Sequence, residues 1–348
     1  MARVGILGTG WGARVQVPTF REAGLQVTAI AGFHGNRTRE AAAGLGVRPH
    51  DDWHEVVTAD DVDVVSIVTP PSEHREMAAA ALQAGKHVLL EKPTAMNAAE
   101  AEELVKIAGQ NGGLLAMIDH ELRFLPSWRE ARRRMGEIGA TRYAEVRYAS
   151  PSRGDRKREW NWWSDASRGG GIWGAVGSHF VDALRYFGNE VEAAHAIMKT
   201  TIDRRPFGTS MRAVTSDDFG SVTLRLAGGA LAVMTFSAVA SGPDETSILT
   251  IYGERGAMRF IGEEVLLSTG GNAFTTLAGG PMESRPGNSP GGAFGTGTLH
   301  LGRALRAALD DGDLNALAPG ATFEDGLMQQ RVLDAARASA SQSRWVEI

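Results

Sequence analysis

A glycine-rich segment near the N-terminus constrains the fold of this chain more than any other feature of the sequence. Residues 8–13 read Gly-Thr-Gly-Trp-Gly-Ala and directly follow a short apolar run at residues 4–7. A helical pattern comes next, so the glycines occupy the turn between a first strand and a first helix. Small residues at this spacing are typical of the strand–turn–helix unit that begins a parallel sheet.

Short apolar runs alternate with helical patterns through the first 121 residues. The apolar runs continue at residues 27–31, 62–68, 87–90 and 114–118, and the helical patterns lie at residues 39–45, 73–84 and 98–110. This alternation predicts successive βα units, and therefore an α/β fold with a doubly wound parallel sheet of the Rossmann type.

The glycine segment also has the spacing of a dinucleotide-binding fingerprint. Gly8 permits a tight turn, Gly10 lets the backbone approach a pyrophosphate, and Ala13 lets the helix pack on the sheet. A lone match would be weak, but this one lies where the mechanism requires it. We therefore predict cofactor contacts from the whole segment, which consists of Gly8, Thr9, Gly10, Trp11, Gly12 and Ala13.

The end of the second apolar run indicates which dinucleotide binds. An acidic residue about 20 positions after the glycines would bind the ribose hydroxyls of NAD. None occurs between Ala23 and Arg39, where the chain instead offers His34, Asn36 and Arg37. A cationic strand end accommodates a 2′-phosphate, so NADP(H) is favoured and NAD(H) is the alternative. The same residues could equally be an ordinary exposed helix start.

Composition excludes several classes of function. The 348 residues include no cysteine, which excludes disulfides, thiolate catalysis and cysteine-ligated metals. A net charge of −5 gives no reason to expect a nucleic-acid partner, and no cluster has metal-ligand spacing, so no metal is predicted. Without a long apolar stretch or a signal-peptide pattern, we expect a cytoplasmic protein with no membrane partner.

Two further motifs follow apolar runs at the carboxyl end of the predicted sheet, where ligands bind in open α/β folds. Thr69, Pro70 and His74 follow one run, and Glu91 and Lys92 follow the next. We predict that all five contact the cofactor, and a lysine on such a turn can also reach a substrate oxygen. Read alone, Glu91 and Lys92 would be a surface ion pair.

These motifs, with several later ones, resemble the glucose–fructose oxidoreductase/inositol dehydrogenase/MocA family. The resemblance follows the chain in order through Thr-Pro-Pro-x-x-His at 69–74, Glu-Lys-Pro at 91–93, Arg-Phe-x-Pro at 123–126, Gly-Gly-Gly at 169–171 and Gly-Ser-His-x-x-Asp at 177–182. It implies an NAD(P)-dependent oxidoreductase that acts on a CH–OH group of a sugar, cyclitol or related polyol.

The resemblance also implies a second domain with an open, mostly antiparallel sheet. Strand-length runs at 142–148, 191–200, 218–226, 230–237, 247–252 and 257–261 support it independently. We expect a dinucleotide-binding domain at 1–121 and a substrate-binding and oligomerisation domain at 122–348, whose last helix packs back on the first. Residues 268–297 are predicted to form a long loop. The family's sheets commonly pair across subunits, which implies a homodimer or homotetramer.

By the same resemblance, Lys92 is the positive group near the reacting oxygen and His179 is the catalytic acid/base. Asp182 shares a helix face with His179 and could orient it, although a packing or capping role is equally open. The family pattern has Asp four residues before the histidine, where this chain has Ala175. Alanine cannot exchange a proton.

Either the lysine and histidine suffice, or another carboxylate replaces the missing one, or the usual step is not performed. Asp165 and Glu121 are the candidate replacements, and Arg123 could contact the substrate from the same segment as Glu121. Trp162 and Trp163 could stack on a sugar ring or could simply fill an interdomain seam. Two other functions stay open: a redox-neutral enzyme that breaks a glycosidic or C–O bond through transient oxidation, and a non-catalytic dinucleotide-binding sensor or scaffold.

Overall fold

The computed structural model describes residues 1–242, 245–277 and 292–348. In chain order the strands are β1 Arg3–Leu7, β2 Gln26–Ala31, β3 Arg48–His50, β4 Val64–Ile67, β5 His87–Leu90, β6 Ala116–Ile118, β7 Thr141–Ala149, β8 Val191–Lys199, β9 Arg204–Phe207, β10 Ser210–Ala213, β11 Phe219–Leu226, β12 Leu231–Ser237, β13 Thr246–Gly253, β14 Gly256–Ile261, β15 Glu264–Thr269, β16 Thr275–Thr276, β17 Ala321–Thr322 and β18 Val346–Glu347. The helices are α1 Val17–Glu22, α2 Gly35–Leu45, α3 Trp53–Val57, α4 Pro71–Gln83, α5 Ala98–Gln110, α6 Pro126–Ile138, α7 Ser178–Tyr186, α8 Gly292–Asp310 and α9 Phe323–Gln342.

The chain divides into two compact units. Unit 1 contains Met1–Ala95, Ala99–Leu125 and the described residues 292–327. Its sheet has the order β17-β6-β5-β4-β1-β2-β3, in which β1 to β6 pair in parallel and β17 joins the edge in antiparallel. This order is that of a doubly wound dinucleotide-binding sheet, whose direction of winding reverses between β1 and β4. The predicted Rossmann-type fold is confirmed.

Two buried layers of side chains hold the unit 1 sheet between its helices. Ile6 and Phe20 pack with Leu301 of α8 on one face, and Ile67 packs with Met77 of α4 on the other. Strands covered on both faces read as continuous apolar runs rather than as alternating ones. This is why the sequence predicts them so clearly.

The boundary between the units differs from the expected one at residue 121. Residues 122–125, α8 and β17 all belong to unit 1, because the chain returns to it late. Phe323 at the start of α9 lies in the unit 1 core, and from Met328 onward this helix belongs to unit 2. The predicted loop 268–297 was wrong at both ends, since β16 and the start of α8 lie inside it. Its residues 278–291 lie outside the described residues.

Unit 2 is built on a nine-stranded sheet of order β16-β15-β14-β13-β7-β12-β11-β8-β18. Only β7 and β12 pair in parallel among these described strands, so the predicted mostly antiparallel sheet is confirmed. Buried and partly exposed residues alternate along β11, as expected for a sheet with one covered face. On the covered face, Trp128 packs on Phe260 and Phe180 packs on Phe236. Among the described helices, none is long and apolar enough to span a membrane.

Candidate active site

The glycine turn at the end of β1 has the geometry that a bound pyrophosphate requires. Gly8 has φ of +130°, and a Cβ there would lie 2.3 Å from the carbonyl oxygen of Val68. Around Gly10, by contrast, a Cβ would meet no atom within 4 Å. The backbone is therefore tight on the side of the sheet and open where the phosphates would approach. These residues fit a dinucleotide.

The rest of the segment fixes the helix that follows the turn. A Cβ on Gly12 would lie 2.7 Å from Cγ2 of Ile6, so only glycine lets the turn sit this close to β1. Ala13 is buried in the same core. Thr9 and Trp11 are partly exposed beside the turn.

An open cleft of about 480 Å³ adjoins the turn at the end of β2. It is lined by Thr9, Gly10, Arg37, Glu40 and Ala41. The Arg37 side chain is exposed and makes no hydrogen bond or ion pair within the described residues. Glu40 was not predicted from the sequence. It lies in the second turn of α2, and it lines the cleft because it is on the same face of that helix as Arg37. The cleft therefore offers one cation and one carboxylate.

The other residues predicted at this strand end take different positions. Asn36 accepts a hydrogen bond of 2.8 Å from Arg39, and Arg39 pairs with Asp51 at 2.6 Å. His34 is exposed at the N-cap of α2. Arg37 is thus the residue of the predicted set that lines the cleft.

The structure places His74 inside the protein rather than against a cofactor. Its ring is 0% exposed, with Nδ1 lying 3.0 Å from the Pro93 carbonyl oxygen and Nε2 lying 2.9 Å from that of Thr69. The predicted direct contact is corrected: His74 links the two turns that follow β4 and β5. Thr69 is partly exposed and Pro70 caps α4 on the first of these turns. His74 therefore holds the turn that carries Lys92 against the turn that follows β4.

Stability is expected to depend on pH through His74. Burial lowers its pKa from an ordinary value near 6.5 to about 4, so the folded state excludes a proton that the unfolded chain binds. The stability that depends on neutral His74 is fully present above about pH 6.5 and is lost as pH falls towards 4, by up to about 3 kcal/mol. Urea unfolding at a series of pH values should show a shallower acid loss in His74→Gln. The exposed control His34→Gln should match the wild type, and equal slopes in all three proteins would contradict this role.

A buried carboxylate that the sequence analysis missed lies at the end of β6. Leu90 and Ile118 are register partners, so Glu91 and Asp119 leave the sheet side by side. Asp119 is 1% exposed and its Oδ2 accepts a 2.9 Å hydrogen bond from the Gln16 amide. Its Oδ1 is buried and has no hydrogen-bond partner among the described residues. No sequence motif marks Asp119, because its role follows from the pairing of β5 with β6.

Glu121 completes a group of three carboxyls beside Lys92, in which Asp119 and Glu121 are buried and Glu91 is partly exposed. Burial raises the pKa of Glu121 and of Asp119 well above the ordinary range, and repulsion from Glu91 raises both further. Burial also raises the pKa of Glu91, against the attraction of the Lys92 ammonium. Burial and mutual repulsion therefore favour the neutral forms of these carboxyls, while the Lys92 ammonium favours their ionised forms. Gly297 of α8 makes room for Glu121, since a Cβ there would lie 2.6 Å from the Glu121 carbonyl oxygen.

Arg123 is committed to a structural ion pair, which corrects its predicted contact with the substrate. It is buried, and its Nη1 donates to Asp325 Oδ2 at 3.1 Å and to the Gly320 carbonyl oxygen at 3.4 Å. A guanidinium that is buried against a carboxylate is costly to unpair. Arg123 therefore holds the returning chain against the 3₁₀ turn Glu121–Phe124 within unit 1.

In unit 2, the glycine triplet and a π-helical turn position the helix that carries His179. Gly171 has φ of +116°, and the next turn, Trp173–Gly177, begins with the Trp173 N–H donating to Asp217 Oδ2 at 2.7 Å. A Cβ on Gly177 would lie 2.2 Å from the Trp173 ring, so glycine is required there. His179 and Asp182 are both buried on α7. Asp217, whose pKa burial raises, was also missed by the sequence analysis.

Asp165 does not serve as a free replacement for the missing carboxylate. Its Oδ1 accepts hydrogen bonds from the Ser167 N–H at 3.0 Å and the Ser167 hydroxyl at 2.7 Å, and Arg212 lies 3.8 Å away. This is a capping role, which corrects the prediction. Trp162 and Trp163 are partly exposed, but the Arg153 guanidinium lies 4.3 Å from the Trp163 ring centre. The Trp163 face is therefore already occupied by a cation.

Among the described residues, no group of three or more His, Cys, Asp or Glu side chains is arranged so that it could hold a metal ion. The predicted site residues thus fall into two sets. The glycine turn, Arg37, Glu91, Lys92 and Glu121 lie in unit 1, and His179 and Asp182 lie in unit 2.

Comparison with known proteins agrees with this description. Residues 2–119 match the model of an oxidoreductase family with an NAD-binding Rossmann fold, and residues 128–259 match the GFO/IDH/MocA C-terminal domain. The chain is 32% identical to an uncharacterized oxidoreductase of Synechocystis sp. over 73% of this chain and 70% of that one. It is 29% identical to glucose-fructose oxidoreductase domain-containing protein 2 of Xenopus tropicalis, covering 99% and 93%. A solved levoglucosan dehydrogenase in complex with NADH and L-sorbose shares the fold, with a TM-score of 0.88, 24% identity and coverage of 100% and 98%.

Proposed function

Because this chain belongs to the GFO/IDH/MocA family of oxidoreductases, we propose that it is an NAD(P)-dependent dehydrogenase of sugars, cyclitols or related polyols. One observation carries the proposal: the glycine turn follows β1, while Lys92 and its carboxyls follow β5 and β6, all at the carboxyl edge of one sheet. The levoglucosan dehydrogenase with NADH and L-sorbose supports the substrate class. A screen of sugars and polyols with NADP⁺ and NAD⁺, read by formation of reduced cofactor, tests it.

The bound nicotinamide would supply the acceptor or donor of a hydride. The backbone at Gly8 and Gly10 would hold the pyrophosphate, and the start of the helix that follows it would face the negative charge. The Lys92 ammonium stabilises negative charge that develops on the substrate oxygen as the carbon loses its hydride. His179 accepts the hydroxyl proton in that direction and returns it in the other.

We further propose that Glu121 supplies the carboxyl function that the family pattern places at Ala175. Of the two candidates, Asp165 is used as a cap, whereas Glu121 is buried and lies near Lys92 and two other carboxyls. Burial raises the pKa of Glu121 and of Asp119, and each proton that these carboxyls hold lowers the negative charge around the lysine. The group can therefore adjust its protonation as charge develops nearby.

We infer that NADP(H) is preferred over NAD(H), because Arg37 lines the cleft with no hydrogen-bond or ion-pair partner among the described residues and can pair with a 2′-phosphate. Arg37→Gln is expected to raise the Kd for NADP⁺ about tenfold and to leave the Kd for NAD⁺ within about twofold. Tryptophan-fluorescence titration measures both constants. Arg39→Gln is the matched control, since Arg39 lies on the same helix and pairs with Asp51. Equal weakening of both cofactors by Arg37→Gln, or of neither, would overturn the inference.

The partners proposed are a small-molecule polyol and further copies of this chain, with no nucleic acid or membrane. On the open face of the unit 2 sheet, Ile197 is 62% and Leu231 is 41% exposed, and Tyr143 stacks with Tyr252. Apolar side chains exposed along a sheet face favour a homodimer or homotetramer that covers them. Sedimentation velocity would read this directly, and a monomer at micromolar concentration would contradict it.

A further inference from the structure

A cluster of three arginines lies in unit 2 beside the tryptophan-rich segment. This arginine cluster consists of Arg153, Arg158 and Arg205. Arg205 is 3% exposed, and it donates to the carbonyl oxygens of Asp155 at 2.8 Å and of Arg153 at 2.5 Å. Arg158 donates to the carbonyl oxygen of Ser152 at 3.0 Å. Backbone carbonyls, rather than carboxylates, therefore hold these two guanidinium groups in place.

Arg153 differs from the other two because its guanidinium makes no hydrogen bond within the described residues. Its flat face stacks on Trp163, with 4.3 Å from the guanidinium carbon to the ring centre. Stacking uses the face of the group and leaves the N–H donors along its edge available. In that geometry a guanidinium binds a carboxylate or phosphate through two parallel hydrogen bonds.

Positive charge dominates at the cluster, because burial and the charge of Arg158 lower the pKa of Arg205 against a smaller opposing effect of Asp218 and Asp155. No salt bridge of these three arginines occurs in the part of the chain that the structure describes. Burial lowers the pKa of Arg153 to about 10, and the positive charges of Arg158 and Arg205 lower it further. Arg153 is still charged at neutral pH, so three like charges lie together, with Arg205 buried, Arg153 partly exposed and Arg158 exposed. An anion would offset their repulsion.

The cluster is connected through the backbone to the helix that bears His179. The Trp163 carbonyl oxygen accepts a 2.8 Å hydrogen bond from the Ser216 hydroxyl, and a Cβ on Gly170 would lie 2.3 Å from this oxygen. From Gly170 the chain continues through the turn Trp173–Gly177 into α7. Trp163, on which Arg153 stacks, therefore belongs to the segment that leads into the helix bearing His179.

We propose that the arginine cluster binds an anionic group of the substrate, so that the substrates are acidic sugars or polyol derivatives. Arg153 supplies the two hydrogen bonds, while Arg158 and Arg205 supply charge. The shared chemistry is an oxyanion, either the carboxylate of a sugar acid or a phosphate monoester. The assignment to the substrate rests on the proposed dehydrogenase function, whereas binding of an anion at Arg153 does not.

Calorimetric titration of the full chain with its cofactor at low ionic strength tests the proposal. The probes are inorganic phosphate and three sugars that differ at one carbon: D-glucose, D-glucuronate and D-glucose 6-phosphate. Inorganic phosphate should bind the wild type at least about tenfold more tightly than Arg153→Gln, since one bidentate charged contact is lost. The phosphate affinity of Arg153→Lys should lie between those of the wild type and Arg153→Gln, because lysine keeps the charge but cannot form two parallel hydrogen bonds. Arg156→Gln, an exposed neighbour outside the cluster, should match the wild type.

Comparison of the three sugars shows whether the bound oxyanion is a carboxylate or a phosphate. Comparison of binding with turnover separates the anion site from the dehydrogenase function. Tighter binding of glucuronate than of glucose identifies a carboxylate, and tighter binding of the phosphate ester identifies a phosphate. Anion binding that depends on Arg153 without turnover of any sugar keeps the site and removes the dehydrogenase function. Turnover of neutral sugars with anion binding equal in the wild type and Arg153→Gln overturns the anion site alone.

Discussion

Replacing Lys92 with methionine is expected to lower kcat by about 10³-fold on whichever polyol proves to be the best substrate. Methionine keeps the length and most of the packing of the side chain but removes the ammonium. The substrate oxygen would then develop its charge beside three carboxyls with no cation between them. The loss should appear in kcat and kcat/KM together, because the interaction is made chiefly in the transition state.

Lys106→Met is the matched control for this variant. Lys106 is an exposed lysine on α5 that pairs only loosely with Glu102, so its loss should leave the rate unchanged. The cofactor Kd is measured for both variants, so that the loss of kcat at saturating cofactor is separated from any loss of cofactor binding. Lys92→Met with at least one-tenth of the wild-type kcat would contradict the role of the ammonium.

Replacing His179 with alanine is expected to lower kcat/KM by about 10²- to 10⁴-fold. An imidazole has the right chemistry to exchange a proton, and Ala175 leaves the turn before His179 without a carboxylate. The pH–rate profile is the decisive readout, since the wild-type limb that reports the imidazole should be absent from the variant.

His195→Asn is the control for the histidine variant. His195 lies on β8 beside Trp345 in the same unit and belongs to none of the proposed machinery. It should keep both the rate and the pH profile of the wild type. A His179→Ala enzyme that is slower but has an unchanged pH profile would show that the residue supports structure only.

The sequence was sufficient for the fold wherever the pattern was local. Each strand of the parallel sheet that is buried on both faces has its own apolar run, so β1, β2, β4, β5 and β6 could be predicted from their residues. The return of α8 and β17 to unit 1 could not be predicted, because no local pattern in residues 292–327 indicates which distant surface they pack on. The hairpin of β9 and β10 was also missed, since its residues are largely exposed and lack an apolar pattern.

The site shows the same division between local and long-range information. The glycine turn and Lys92 were predicted because their spacing relative to a strand fixes their position. Asp119 was not, because its burial results from strands that pair far apart in sequence. His74 and Arg123 were given the wrong roles, since only the structure shows the carbonyls and the carboxylate that hold them.

A single-turnover experiment tests the central claim most directly. The purified chain, loaded with NADP⁺, is mixed with a panel of neutral and acidic sugars and polyols, each deuterated at its hydroxyl-bearing carbons. Our account predicts that at least one substrate yields NADPH that carries the deuterium, and that Lys92→Met does so far more slowly. A product formed without accumulation of NADPH would show a redox-neutral enzyme instead. Cofactor binding with no product from any substrate would contradict catalysis altogether.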